Sequence, residues 1–288
     1  MKKLLSVVIT LVLFLSSINL TACANNSKKY LGHRHIGLYR GDFCEECDAI
    51  CWDSGEGYVM MELGIDSNQY FLIEVYNDNA FSLLKQNDVL FNGTGAYNYC
   101  RRIKHVYIAS TVTTVHGFEY CSELENVVLC EGIEAIGYNA FNGCEKLENI
   151  ELPKSITHIY GSAFSNVPIR EIELNDNLIH IGNGAFYNTE ISSIYIPDSV
   201  KYIDVAAFWY NENLKYVEIG KGVEYIGHSA FEYCNKNMKI KIKNTTGWCV
   251  SNEYHDNIKI DSENLNDKSE TAKLFSRKYV NYDWKRDV

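Results

Sequence analysis

The sequence is short of basic charge, of long apolar runs and of catalytic signatures, and each shortage removes a class of function. Lysine and arginine number 27 against 37 aspartates and glutamates in 288 residues, a formal charge of −10. The first 22 residues hold Lys2 and Lys3 and no acid, so without them the balance is 25 to 37, or −12. A chain this acidic is repelled by phosphate backbones, which argues against nucleic acid as a partner. Beyond the first segment no run of about 18 or more residues is apolar, so the rest of the chain offers no candidate membrane span. There is no serine nucleophile elbow, no phosphate-binding glycine loop and no zinc-protease helix. No enzyme class is indicated, and no cofactor is expected.

What is present begins with an export signal. Lys2 and Lys3 precede an apolar run from Leu4 to Leu15 and then small residues, too short and wrongly flanked for a transmembrane helix. Leu20-Thr21-Ala22-Cys23 resembles the bacterial lipoprotein signal. That resemblance implies cleavage before Cys23, a lipid on its thiol, and a chain held outside the cytoplasm against a cell membrane or outer membrane. An ordinary cleaved signal followed by an unrelated cysteine is the alternative.

The dominant feature is a recurrence. An aromatic, usually preceded by alanine, returns every 21 to 23 residues as Tyr97, Phe118, Phe141, Phe164, Phe186, Phe208 and Phe231. An apolar triplet follows at a fixed offset, as in Leu147, Ile150 and Leu152 or Ile191, Ile194 and Ile196. Ile150 and Leu152 have the period-2 spacing of a strand with one buried face, so Glu151 between them faces solvent. The Ala-Phe pair suits a tight turn or a short helical piece. Gly137, Gly161, Gly182 and Gly227 recur before it, as a turn needing backbone freedom would require. Such a period means a solenoid whose rungs are stable only when stacked.

The unit Ile136-Gly137-x-x-Ala140-Phe141-x-x-Cys144-x-x-Leu147-x-x-Ile150-x-Leu152-Pro153-x-Ser155-Ile156 resembles the BspA-like leucine-rich repeat family. The resemblance covers about residues 92–243. It implies a leucine-rich repeat solenoid of about seven repeats, mostly short β-strands with short helical turns. It also implies a surface protein, some relatives being adhesins that bind host proteins or other cells. The expected organisation is a signal peptide at 1–22, a tether at 23–30, an N-terminal cap region at 31–91, repeats at 92–243 and a C-terminal cap at 244–288. Within the N-terminal region, Tyr58 to Ile65 and Tyr70 to Tyr76 read as a hairpin. In the last repeat Asn237 falls where an inward aliphatic belongs. Near the C-terminus, Thr246 to Val250 and Ile258 to Ile260 read as short strands, and Asp267-x-x-Glu270 as a capping box opening a helix to about Tyr282.

Candidate functional residues follow from this frame. The outward strand positions Tyr107, Val128, Glu151, Glu173, Tyr195, Glu218 and Lys241 form one column, and Asn149, Glu171, Ser193 and Tyr216 widen it. Adjacent rungs lie about 4.8 Å apart, so Glu151 and Glu173 repel each other modestly. The face formed by Tyr107, Glu151, Glu171, Glu173, Tyr195, Tyr216 and Glu218 suits a protein or glycan ligand on a host or neighbouring cell; an ordinary solvated face is the plainer reading. Arg40-Gly41-Asp42 matches the tripeptide read by integrins, a short motif that chance also supplies. Cys44, Cys47 and Cys51, with His33 and His35 nearby, could offer a metal or thiol-redox module, but zinc sites carry two separated pairs, so a local disulfide or buried thiols is the simpler reading and no metal is assigned. His158 and His180 sit at equivalent positions one rung apart, where surface residues are the simpler reading than a shared metal. Of the ten cysteines, Cys100, Cys121, Cys144 and Cys234 each lie three residues after the repeat aromatic. Val167, Thr189 and Asn211 take the same place elsewhere, so this is a slot for small packed side chains, filled by buried thiols and not by bridges. A non-enzymatic monomer that binds a macromolecule is the first reading; a structural envelope protein is another.

Overall fold

The computed structural model describes residues 50–55, 58–63, 70–81, 102–255 and 258–287. The signal at 1–22, Cys23, the tether, Arg40-Gly41-Asp42, Cys44, Cys47, and Tyr97 with Cys100 lie outside the described residues.

The chain coils into a flattened β-solenoid. One side is a ladder of two-residue parallel strands, Thr114–Val115, Ala135–Ile136, His158–Ile159, His180–Ile181, Tyr202–Ile203 and Tyr225–Ile226. The other side carries Ile103–Ile108 paired with Asn126–Leu129, and Ser193–Ile196, Tyr216–Ile219 and Lys239–Ile242 paired in parallel further on. Between these two groups the pairing thins to a single bridge, Asn149 with Glu171. On this side alternation is clean: in Ser193–Ile196, Ile194 and Ile196 are buried while Ser193 and Tyr195 are exposed. Upstream, Tyr58–Leu63 and Tyr70–Val75 form the expected hairpin, with Leu63 opposite Tyr70, and Ile50–Gly55 adds a third antiparallel strand. Tyr70–Val75 then pairs in parallel with Ile103–Ile108, which joins the hairpin to the solenoid.

The core is an aromatic spine. Phe118, Phe141, Phe164, Phe186, Phe208 and Phe231 are each fully buried. Neighbouring rings stack at centroid distances of 5.8, 5.7, 5.4, 5.3 and 5.4 Å, with interplanar angles between 2° and 15°. These distances exceed the rung spacing of about 4.8 Å, as offset stacking requires. The spine ends edge-on at both termini: Phe81 meets Phe118 at 81° and Phe275 meets Phe231 at 77°.

The Ala-Phe segment adopts the turn, not the helical piece. Two residues per rung take left-handed backbone. The residue two before the aromatic does so at Asn139, Ser162, Gly184, Ala206 and Ser229, and the residue two after it at Tyr120, Gly143, Asn166, Asn188, Tyr210 and Tyr233. These reversals aim successive N–H groups along the solenoid axis, so that Phe164 donates to Ala185, Asn166 to Tyr187, and Asn188 to Trp209 on the next rung. Gly137, Gly161, Gly182 and Gly227 are not among the left-handed residues, which corrects the reading of them as sites of backbone freedom. They are needed for close approach: a Cβ at Gly182 would lie 2.7 Å from the backbone of Tyr160 and Gly161, and one at Gly227 2.4 Å from Val205 N.

The last rung departs from expectation by one residue. Met238, not Asn237, fills the inward position; Asn237 is exposed. The Met238 N–H donates to Asn235, as Leu214 donates to Asn211 one rung earlier. Beyond it, Trp248–Ser251 and Ile258–Lys259 are strands, and Asp267 caps a helix over Lys268–Lys273 by accepting from the N–H groups of Ser269 and Glu270 at 2.8 and 2.9 Å. The helix widens to a π-helical turn at Leu274–Lys278, where Tyr279 N–H donates to Leu274, and stops there, short of Tyr282. Asp283–Arg286 is a strand inserted antiparallel between Tyr225–Ile226 and Trp248–Ser251, with Trp284 stacked 3.9 Å from Phe275. It takes the edge of the parallel ladder that would otherwise be left open.

Candidate interaction surface

The register sets residues of the expected column side by side where strands are paired: Tyr107 sits opposite Val128, Tyr195 opposite Glu218, Glu218 opposite Lys241, and Ser193 opposite Tyr216. Glu151, Glu171, Glu173 and Tyr195 are exposed. None of the three glutamates has an ion-pair partner among the described residues; the nearby Arg170 is taken by Glu148 and Glu190 at 3.1 and 3.0 Å. The thinned pairing coincides with the place where Glu151 and Glu173 follow one another, and like charges side by side weaken a ladder.

The two ends of the column differ from expectation. Tyr107 is buried, 3% exposed, among Tyr76, Ala109, Val128 and Cys130, so it cannot meet a ligand. Its hydroxyl lies 3.1 Å from Cys130 Sγ, and Cys130, which the repeat spacing does not single out, is disulfide-bonded. At the far end Glu218 is held by its neighbours: Tyr216 Oη donates to it at 3.0 Å and Lys241 Nζ at 3.2 Å. Burial alone would raise its carboxyl, but the hydrogen bonds from Lys241 and Tyr216 and the charges of Lys241 and Lys243 outweigh burial and hold it below the usual carboxylate range. Burial, with the adjacent Glu218 carboxylate, pushes the Tyr216 phenol up. Lys243 Nζ donates to Tyr195 Oη at 2.8 Å and to Asp198 at 3.1 Å. The acidic face is therefore shorter than the sequence implies, running from Glu151 to Tyr195, and Tyr216 with Glu218 belongs to a charge-balanced border.

On the opposite sheet His158 and His180 are in register, their rings 5.9 Å apart. His180 Nε2 is 2.8 Å from Asp204 Oδ2, and His158 Nδ1 is 2.8 Å from Thr157 Oγ1. Tyr138, Tyr160 and Tyr202 flank them in one aromatic row. Among the described residues no group of three or more metal-binding side chains is gathered, here or at the buried Cys51.

The slot after the spine aromatic is more than a place for small side chains. Cys144 and Cys234 each direct Sγ at 3.1 Å to the carbonyl of the aromatic one rung back, Phe118 and Phe208. Enclosure pushes the Cys234 thiol up to about 12, which leaves it a thiol without nucleophilic character at neutral pH. Asn211, fully buried, does most: its amide donates to Phe186 O at 2.7 Å and Phe208 O at 2.8 Å, and its Oδ1 accepts from Thr189 N and Thr189 Oγ1.

A further surface was not anticipated from the sequence. The two residues after each spine aromatic form a ridge along one edge of the solenoid: Glu119-Tyr120, Asn142-Gly143, Ser165-Asn166, Tyr187-Asn188, Trp209-Tyr210 and Glu232-Tyr233. The second residue of each pair is left-handed. Glycine and asparagine accept that conformation readily; a tyrosine in it is strained by about 1 kcal/mol or more. Tyr120, Tyr210 and Tyr233 nevertheless stand there, 53, 43 and 58% exposed. The signal was present in the sequence, as the two positions following each repeat aromatic, but only the backbone angle gives it weight.

Among the described residues no helix is long and apolar enough to cross a membrane. A model of the BspA type leucine rich repeat region matches the chain in six copies, over residues 76–148, 93–215 and 205–275. No curated protein sequence matches this chain. Similar solved structures include a leucine-rich repeat protein from Bacteroides ovatus, with 19% identity, a TM-score of 0.46, and coverage of 64% of this chain and 51% of that one. Another, from Eubacterium ventriosum, has 16% identity, a TM-score of 0.43, and coverage of 63% and 47%. The T. pallidum leucine-rich repeat protein has 19% identity, a TM-score of 0.45, and coverage of 64% and 89%. The match spans about half the length of the first two.

Proposed function

Because the chain belongs to the BspA-type leucine-rich repeat family, we propose that it is an exported, lipid-anchored, non-enzymatic interaction protein that binds a macromolecule on a host or neighbouring cell. The solenoid is the binding body, and the segment from Cys23 to about residue 30 is its tether. The observation that carries this reading is the strip of exposed glutamates, Glu151, Glu171 and Glu173, beside exposed Tyr195, with no ion-pair partners among the described residues. Side-by-side carboxylates are unfavourable in the free protein and become favourable against a basic partner surface. A tyrosine at the border supplies contact area at small entropic cost.

The test is a binding screen of the exported chain against matrix proteins, mucins and glycans, repeated with Glu151, Glu171 and Glu173 all changed to alanine. Glu218 is left unchanged because its removal would also unpair Tyr216 and Lys241. Binding to a basic protein ligand is expected to fall at least tenfold and to weaken with rising salt in the parent. Equal binding by parent and variant would remove the strip from the site. Anchoring is tested separately: radioactive palmitate should label the chain in growing cells, and a Cys23→Ala variant should take up none.

A further inference from the structure

We propose that the turn ridge holds a second site, independent of the acidic strip, in which Tyr187, Trp209, Tyr210 and Tyr233 bind a neutral oligosaccharide. The four side chains form a continuous patch over three successive rungs. Ring centroids are 5.4 Å apart for Tyr187 and Trp209, 6.4 Å for Tyr187 and Tyr210, and 6.1 Å for both Trp209 and Tyr210 against Tyr233, at angles of 40° to 54°. Tyr210 and Tyr233 are exposed.

Three observations point to a ligand and to its chemistry. First, Tyr210 and Tyr233 hold left-handed backbone, φ 63° and 54°, at a position that asparagine fills on the rungs of Asn166 and Asn188. Bulky residues in that conformation strain the free protein, and strain retained where a simpler residue fits marks a functional side chain. Second, the ridge is devoid of lysine and arginine at both positions after the aromatic in all six rungs. That disfavours sulfated, sialylated or phosphorylated ligands, as does the net charge of −10. Third, the groups bordering the rings are those that bind hydroxyls. Asn188 continues the row with its amide 2.9 Å from Asn166 Oδ1, and Glu232 places a carboxylate one rung beyond Trp209 in the same column. Trp209 Nε1 is the one buried side-chain nitrogen or oxygen among the described residues without a hydrogen-bond partner. Aromatic rings with amide and carboxylate neighbours and no cations suit sugar rings, whose apolar C–H faces stack on aromatics while their hydroxyls take polar partners. A chain of sugars running along the solenoid axis would meet one rung after another.

The experiment is affinity electrophoresis of the exported chain in native gels cast with dextran, mannan or a mixed-linkage β-glucan, backed by an array of neutral and acidic glycans. At least one neutral glycan is expected to retard the protein and to shift Trp209 emission. A Tyr210→Asn, Tyr233→Asn variant puts the residue of neighbouring rungs into the same backbone, so its melting temperature should be unchanged or higher. Its affinity for the glycan should fall at least tenfold, while binding through Glu151, Glu171 and Glu173 persists. Failure to bind any neutral glycan, binding confined to acidic ones, or equal binding by the asparagine variant would each overturn the proposal.

Discussion

Replacing Asn211 with leucine is expected to destabilise the protein by about 3–5 kcal/mol, a large part of the roughly 5–15 kcal/mol that holds a typical domain together. The size of the effect comes from the number of groups left without partners. Asn211 is fully buried and serves Phe186 O, Phe208 O, Thr189 N and Thr189 Oγ1 together. Leucine has similar volume and no polar atom, so the carbonyl of Phe186 and the N–H of Thr189 would remain buried and unsatisfied. Each such group costs about 1–3 kcal/mol. Asn211→Asp should be no rescue, since it keeps the acceptor for Thr189 and loses both donors while burying a charge. Cys144→Val is the control: one S–H donor to Phe118 O is lost from a slot that accepts valine at Val167, and the expected cost is about 1 kcal/mol or less. Urea unfolding followed by circular dichroism checks the order. Equal costs for Asn211→Leu and Cys144→Val would mean that the slot is one of volume alone.

Phe186→Ala is expected to cost about 3–5 kcal/mol and to split unfolding into two steps. Phe186 lies in the middle of the spine, 5.4 Å from Phe164 and 5.3 Å from Phe208, fully buried. Its loss leaves a cavity between two rungs that cannot close, because backbone hydrogen bonds in the turns fix the rung spacing on both sides. A solenoid is held by nearest-neighbour interfaces, so weakening two adjacent ones in the interior uncouples the halves. Phe275→Ala, by contrast, removes one edge-on contact to Phe231 at the end of the row and the stack on Trp284. It should fray the C-terminal segment and leave the rungs from Phe118 to Phe208 protected. Hydrogen exchange resolved along the chain separates the two results. A single cooperative transition for Phe186→Ala at the parent midpoint would contradict the view of the spine as the coupling element.

Much of this was readable in the chain before any coordinates. The recurrence of the aromatic and the period-2 triplets named the solenoid, the spine and the alternation of Ile194, Tyr195 and Ile196, because burial acts on each residue through its spacing alone. The position of Glu151, Glu171 and Glu173 on the open face followed from the same count. Other features were beyond it. Tyr107 reads as one more outward residue but is buried, because packing against Tyr76 and Cys130 is set by segments remote in sequence. Glu218 reads as acidic surface but is balanced by Lys241 of the next rung and Tyr216 of its own. Asn237 is displaced by Met238 because a one-residue insertion in the last rung is absorbed in the loop before the strand.

The amino-acid sequence by itself determined the architecture, since a demand for burial that returns every 21 to 23 residues has few solutions other than stacking. It also determined the sign of the charge and which strand positions face outward. The tertiary structure alone decided which of those positions are open to a partner, for that depends on what the cross-rung neighbours and the chain ends cover. It alone revealed the role of the recurrent glycines, set by distances between rungs and not by local conformation. And it alone gave Tyr210 and Tyr233 their meaning, because Gly143, Asn166 and Asn188 at the equivalent positions hint at a left-handed backbone that the tyrosines themselves do not announce.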